Sequence, residues 1–530
     1  MHCKKSAEYF LCRFFIAHNH NVSEKFKLIL LLHSFAKKNL MLLLGIDIGT
    51  SSVKVSVVDA DTQQCISSAQ FPETEAEIIS LQNGWAEQNP DTWWEYLQHA
   101  LMEANVSGKY NPKEIAAIGI AYQMHGLVVV NKQQLSLRNS IIWCDSRAVP
   151  YGEKAFATIG EEKCLSCLLN SPGNFTASKL AWLKEHEPAI FKQIYKIMLP
   201  GDFIAMRLTG EITTTPSALS EGIFWDFKTD EISKDVMQYF NFKKNLIPDI
   251  KDVFSTHGFL SEDVANKLEL KQGIPISYKA GDQLNNALSL NVLQPGEVAA
   301  TAGTSGVIYA VADDLVYDKQ SRINSFAHIN HTKNKKSIGV LLCINGTGIM
   351  NSWTKKLIST NKTYKQLNDE AENIAAGSEG LLVLPFGNGA ERMLNNKLIG
   401  ASVQHIDLNK HTPAHVYRAA QEGIAYAFRY GLDIMRENNI EPKVIRAGKA
   451  NMFLSDVFID AFVNVCNVPV ELYENDGSVG AALGAGIGAK IFADEKAAFK
   501  NMKRLKLIEP NGRQEYDAFY EKWWKELSKD

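Results

Sequence analysis

Apolar residues fall along this chain in short strand-like runs joined by small polar turns, and two of these joints share one grammar. Leu42, Leu43, Leu44, Ile46 and Ile48 lead through Gly49-Thr50-Ser51-Ser52 into Val53, Lys54 and Val55, while Val298, Ala299, Ala300 and Ala302 lead through Gly303-Thr304-Ser305-Gly306 into Val307, Ile308 and Tyr309. Such a turn strips away side chains and aims backbone N–H groups and hydroxyls into one concavity, the surface a phosphate chain needs. A single loop of this kind reads first as a hairpin turn. Two of them, about 250 residues apart, predict related halves closing on one polyphosphate.

The runs between them support a repeat. A third strand is expected over 66–70, then a helix capped by Asn89 with Pro90 in its first turn and Trp93, Trp94, Leu97, Ala100 and Leu101 at helical period. The unbroken apolar run 115–121 predicts a strand buried on both faces. In the second half, strands are expected over 338–344, 381–385 and 444–445, a helix over 414–437 with Val416, Ala419, Ala420, Gly423, Ile424 and Ala427 along one side, and a Gly/Ala-rich helix over 480–491. This order predicts a two-lobed α/β protein with its ligand between the lobes.

Composition narrows the partners. At 530 residues the chain exceeds one core, and a net charge of −3 with 45% hydrophobic residues offers no basic field for nucleic acid and no polybasic membrane patch. Small molecules are the expected partners. The eight cysteines are dispersed, which fits a reducing, cytoplasmic location rather than a disulfide framework. Cys164 and Cys167 have C-x-x-C spacing without a second pair, so two helix-face thiols compete with a metal or redox role. Residues 1–40 hold an apolar run too short to span a bilayer and followed by Lys37-Lys38, and Met41 abuts the first strand, so 1–40 reads as a leader outside the fold.

Several residues carry chemistry. Asp47, inside an apolar strand, needs compensation: either it helps hold a magnesium ion beside phosphates or it caps a neighbouring turn. Asp282 follows the apolar run 274–280 and Gly281, at the strand end where α/β proteins place catalytic groups. It is the candidate base that accepts the proton of an attacking hydroxyl in phosphoryl transfer, the alternative being a plain helix cap. Gln123, Met124 and His125, followed by Gly126, suit a polyhydroxylated ligand, although a lone His is often structural. Trp143 and Asp145 add an aromatic face and a carboxylate of the kind sugar sites use, and Trp143 also fits a core.

Taken with Gly84-Trp85-Ala86-Glu87-Gln88, Phe175-Thr176-Ala177-Ser178-Lys179, Leu199-Pro200-Gly201-Asp202 and Gly389-Ala390-Glu391-Arg392, these motifs resemble the FGGY family of carbohydrate kinases from about residue 42 to the end. The Gln123-Met124-His125-Gly126 segment points to its xylulose-phosphorylating branch. The resemblance implies two actin-like (RNase H-like) ATPase domains with the active site in the cleft between them. It implies ATP with Mg2+ and transfer of the γ-phosphoryl group to the 5-hydroxyl of D-xylulose in pentose catabolism. It further implies Asp282 as base, Asp47 as the metal-associated carboxylate, and Gln123, Met124, His125, Trp143 and Asp145 at the sugar. Gly49, Thr50, Ser51, Lys54, Gly303, Thr304, Ser305, Gly306, Gly448 and Asn451 fall at ATP. The implied domains are 41–290 (sugar site, first phosphate loop) and 291–497 (nucleotide site, second loop), with a helical tail over 498–530; a homodimer is also common in the family.

One departure stands out. Where the family usually has Gly-Gly-Gly-Ala beside the adenosine, this chain reads Arg446-Ala447-Gly448-Lys449, so side chains should reshape the pocket, unless Arg446 stacks on the adenine. The competing readings are a kinase for another ketose or polyol, such as ribulose or rhamnulose, and a non-catalytic actin-like ATP or sugar sensor. A nicotinamide dehydrogenase fits worse still, because Gly45-x-Asp47-x-Gly49 is not the dinucleotide fingerprint.

Overall fold

The computed structural model describes residues 41–529, so the expected leader over 1–40 lies outside the described residues. Two mixed sheets carry the fold. In the first, β1 (Leu42–Ile48), β2 (Val53–Asp59) and β3 (Cys65–Phe71) form an antiparallel meander, α1 (Pro90–Val106) follows, and β4 (Ile115–Tyr122) returns parallel to β1. The short β5 (Gly258–Phe259) and β6 (Pro275–Gly281) complete the order β5-β6-β4-β1-β2-β3. Asn89 caps α1 by accepting from the Asp91 N–H. Trp93, Leu97 and Leu101 bury the helix on β2 and β3, as their spacing predicts. The continuous apolar run of β4 is buried almost throughout.

After α2 (Asp282–Ser289), the second sheet uses β7 (Glu297–Ala302), β8 (Gly306–Ala312), β9 (Asn324–Ala327), β10 (Ile338–Ile344), and then, beyond the long α3 (Pro413–Glu437), β11 (Val444–Gly448) and β12 (Val470–Tyr473). Helix α4 (Gly477–Gly488) and an edge strand β13 (Arg504–Ile508) follow, giving the order β9-β10-β8-β7-β11-β12-β13. Its central five strands repeat β3-β2-β1-β4-β6 in order and in sense. The halves are two actin-like α/β lobes.

Two expectations change. The strand foreseen over 381–385 exists as Leu382–Leu384 but pairs with Ser402–Gln404 in a separate two-stranded sheet, outside the repeat. The tail expected to be helical contributes β13 before its helix Arg513–Leu527. The alternation Arg504, Leu505, Lys506, Leu507 has the period of a strand, and its cations suit an exposed sheet edge.

Helix α4 belongs to the second half by sequence yet packs on β1, β4 and β6 of the first. Glycine makes that possible. A methyl group at Gly45 would lie 1.7 Å from the Ser478 carbonyl oxygen, and one at Gly119 would lie 2.0 Å from that of Ala481. No helix among the described residues is long and apolar enough to cross a membrane.

Candidate active site

Strands β1, β4 and β6 run parallel and end on the same side. Their ends deliver Asp47, then Gln123 to His125, then Asp282 to one edge, the place where open α/β sheets bind ligands. Asp282 opens α2, whose cap is the backbone of Gly281 with no side-chain hydrogen bond. Asp282 is thus the first helical residue rather than the N-cap, and its carboxyl takes hydrogen bonds from Gln283 at the start of the helix. Burial first, and the Asp47 charge second, push Asp282 up to about 7. Asp47 is pushed up to about 6 by burial and by Asp476, with Lys54 working against the rise.

Lys54 itself pairs with Asp476, the N-cap of α4. Burial raises Asp476, but the Lys54 and Ser478 hydrogen bonds outweigh it and hold the carboxyl below its ordinary range. Asp47 thus faces two further acids while the one lysine beside it is engaged, and no described N–H bonds to it. A hard divalent cation fits such a donor. No cluster of three or more His, Cys, Asp or Glu among the described residues could hold an ion by itself, so water and phosphate oxygens would fill most of its shell.

The first Gly-Thr-Ser turn is closed by Gly49 N–H donating to Ser52 O (3.0 Å), with Ser51 exposed. It is tied to the neighbouring wall by a polar chain. Trp143 Nε1–H donates to Thr50 Oγ1 (2.9 Å), Thr50 Oγ1 donates to Gln123 Oε1 (3.3 Å), and Gln123 Nε2 donates to Gln88 Oε1 (2.9 Å). Trp143 is 52% exposed, which removes the core alternative. Met124 is buried beneath Gly281, where a methyl group would come within 2.6 Å of its Cγ.

The second turn, Gly303 to Gly306, lies between β7 and β8. Gly348 N–H and Ile349 N–H donate to Gly303 O (2.8 Å) and Thr304 O (3.0 Å). Beside it opens a cavity of about 500 Å3 lined by Gly303, Thr304, Asn351, Tyr417, Asn451 and Ser455. Tyr417 OH and Asn351 Oδ1 are buried there without a hydrogen-bond partner. A ligand with both an apolar face and polar edges would satisfy them.

Residues 42–289 match the N-terminal domain of the FGGY family of carbohydrate kinases, and residues 298–489 match its C-terminal domain. The chain belongs to this family. It is a carbohydrate kinase, a phosphotransferase with an alcohol group as acceptor. Xylulose kinase of Bacillus subtilis is 28% identical over 491 residues, covering 88% of this chain and 94% of the relative. The solved structure of xylulose kinase from Rhodospirillum rubrum matches with a TM-score of 0.82 at 23% identity, over 92% of this chain and 98% of that one. Plasmodium falciparum glycerol kinase with ADP matches at 0.82 and 21% identity, over 92% and 98%.

Within this FGGY kinase two assignments move. Asp145 is fully buried and turned inward, because its carboxylate accepts from Ala86 N–H (2.6 Å), Arg147 N–H (2.9 Å) and Arg147 Nε–H (2.8 Å). It shapes the Trp143 loop rather than meeting a sugar. Arg446 does not line the cavity beside the second turn. Its guanidinium bonds Glu471 (3.0 Å) and Glu297 (3.0 Å) on the flanking strands, and Gly448 backs onto Asn475. Cys164 and Cys167 are free thiols, and burial pushes Cys164 up to about 12, far from reactive.

Two residues escaped the sequence. Glu221 sits fully buried against His125, although a Glu in a six-residue helix reads as solvated. Arg392 lay within a matched motif without a role. Among the described residues no carboxylate pairs with it and its one bond is to Ser321 O (3.4 Å), while its charge is felt at His125 and Cys343.

Proposed function

We propose that this kinase phosphorylates D-xylulose on its 5-hydroxyl with ATP. The observation that carries the reading is the juxtaposition of Asp282 with the Met124-His125 wall at the ends of β6 and β4. The xylulose kinases among its relatives favour the ketopentose, and the ADP in the glycerol kinase supports an adenine nucleotide.

The sugar lies against His125 with its 5-hydroxyl toward Asp282, which takes the hydroxyl proton as oxygen attacks phosphorus. With its carboxyl at about 7, Asp282 can both hold and release a proton near neutral pH. The two Gly-Thr-Ser turns cradle the phosphates, and Arg392 offers the unpaired cation that the transferring phosphoryl group needs. Asp47 would hold Mg2+, which supplies charge neutralisation at the phosphates when bound. The sugar side belongs to the domain 41–290 and the nucleotide side to 291–497, and the dispersed, free cysteines support a reducing, cytoplasmic location.

The test is a coupled assay with D-xylulose, D-ribulose, L-rhamnulose and xylitol side by side. D-xylulose should lead the others by at least about tenfold in kcat/KM, the scale of one buried polar group left mispaired. Equal use of D-ribulose would overturn the substrate, and no turnover with any of them would overturn the kinase reading of the site.

A further inference from the structure

His125 adopts a left-handed backbone, φ +60°, a conformation that a Cβ-bearing residue holds only when its surroundings fix it. Three partners hold it there. Its N–H donates to Glu221 Oε2 (3.3 Å), and its carbonyl accepts from Lys179 Nζ (2.9 Å) and Thr176 Oγ1 (3.3 Å). The other oxygen of the same Glu221 carboxyl, Oε1, accepts from Tyr122 OH (2.7 Å). Glu221 therefore links the end of β4 to the His125 turn.

The ring is fixed as well. Nδ1 lies 3.0 Å from the Glu221 carbonyl oxygen, and a carbonyl oxygen can only accept, so Nδ1 carries the ring hydrogen. Burial and the nearby Lys179 charge hold His125 down to about 3, which keeps the imidazole neutral. Phe175 and Phe326 flank the ring at 4.8 and 5.4 Å between centroids. Nε2 has no partner among the described residues and is not among the sealed polar atoms.

We propose that Glu221 is a positioning residue that locks His125 as the Nδ1–H tautomer, so that Nε2 accepts a hydrogen and selects a substrate hydroxyl at that point. A ketone oxygen or a ring oxygen, having no hydrogen to give, is rejected there. This rests on the reading of His125 as a sugar contact.

Glu221→Ala leaves Tyr122 OH and the His125 N–H without acceptors and frees the turn. The KM for sugar should rise about tenfold or more, with the KM for ATP within about twofold. Glu221→Gln, which can still accept from the His125 N–H while its amide faces Tyr122 OH, should restore most of the loss. The tautomer is read independently of any sugar by long-range 1H–15N spectra of histidine-labelled protein, with His125 assigned by its loss in His125→Gln. A proton on Nδ1 is the expected result in the wild type; the Glu221 carbonyl that bonds it remains in Glu221→Ala, where the loss of the carboxyl frees the turn and should shift or broaden the His125 ring signals. A proton on Nε2, or an unchanged sugar KM in Glu221→Ala, would overturn the proposal. If Glu221→Ala fails to fold, the wild-type spectrum still decides. A failed sugar assay with an Nδ1 proton would instead count against the substrate reading.

Discussion

Asp282 stands in an environment that works against its own charge, and this has two measurable consequences. Asp282→Asn keeps the shape and removes the basic site, so kcat should fall about 10²–10⁴-fold while calorimetry still detects xylulose binding. Near-wild-type turnover would send the search to another carboxylate. The second consequence is in stability. Asp282 at about 7 and Asp47 at about 6 both lie above their ordinary 3.8, so between pH 4 and 7 the folded state holds protons that the unfolded chain releases. Their favourable contribution is complete below about pH 4 and is lost as pH rises through 7. The ligand-free Asp282→Asn protein should therefore gain at least about 1 kcal/mol over wild type at pH 8 and much less at pH 5. An equal gain at both pH values would show that the carboxyl is not the source. At this scale the sequence was legible where chemistry is local: a turn of Gly, Thr and Ser, or an Asp at a strand end. It was not legible where a side chain's direction depends on distant partners. Asp145 turns away from the cleft to meet Ala86, and Arg446 turns toward Glu297 and Glu471.

Among the elements, the close seat of α4 on β1 and β4 makes the sharpest demand. Gly45→Ala would place a methyl group 1.7 Å from the Ser478 carbonyl oxygen, with backbone on both sides and no flexible side chain to yield. Overpacking of this kind removes typically about 1–3 kcal/mol, visible as a lower Tm. An unchanged Tm would mean that helix and strand separate more easily than their contact suggests. The elements with strong periods were the ones the sequence disclosed: both hairpins, α1, β4, β10 and α3 fall within a few residues of their expected limits. The short strands β5, β9 and β12 carry too few residues for a period to declare itself, and the segment 382–384 has an apolar run that says nothing about which sheet it joins.

At the scale of the whole molecule the halves are joined on two fronts. Near the acids, Lys54 pairs with Asp476, Ser56 Oγ meets Ser478 Oγ (2.8 Å) and Asn285 Nδ2 donates to Gly477 O (2.8 Å). On the His125 side, β9 docks through Asn170, which exchanges two hydrogen bonds with the Ser325 backbone (2.6 and 3.0 Å), and through Ser220, which accepts from Ala327 N–H (2.9 Å). Because α4 covers β1, β4 and β6, residues 41–290 expressed alone should leave that glycine-floored face open, bind a hydrophobic dye and melt without cooperativity. Cooperative melting of that fragment would show that its sheet does not need the later helix. The crossing also sets a clock. On the ribosome β1 emerges more than 400 residues before its helical cover, and at about 5–20 residues per second the first sheet waits roughly twenty seconds to more than a minute with its seat vacant. Slowing elongation late in the message lengthens that exposure, so the codons near the end of the reading frame bear on how much of the beginning survives to be folded.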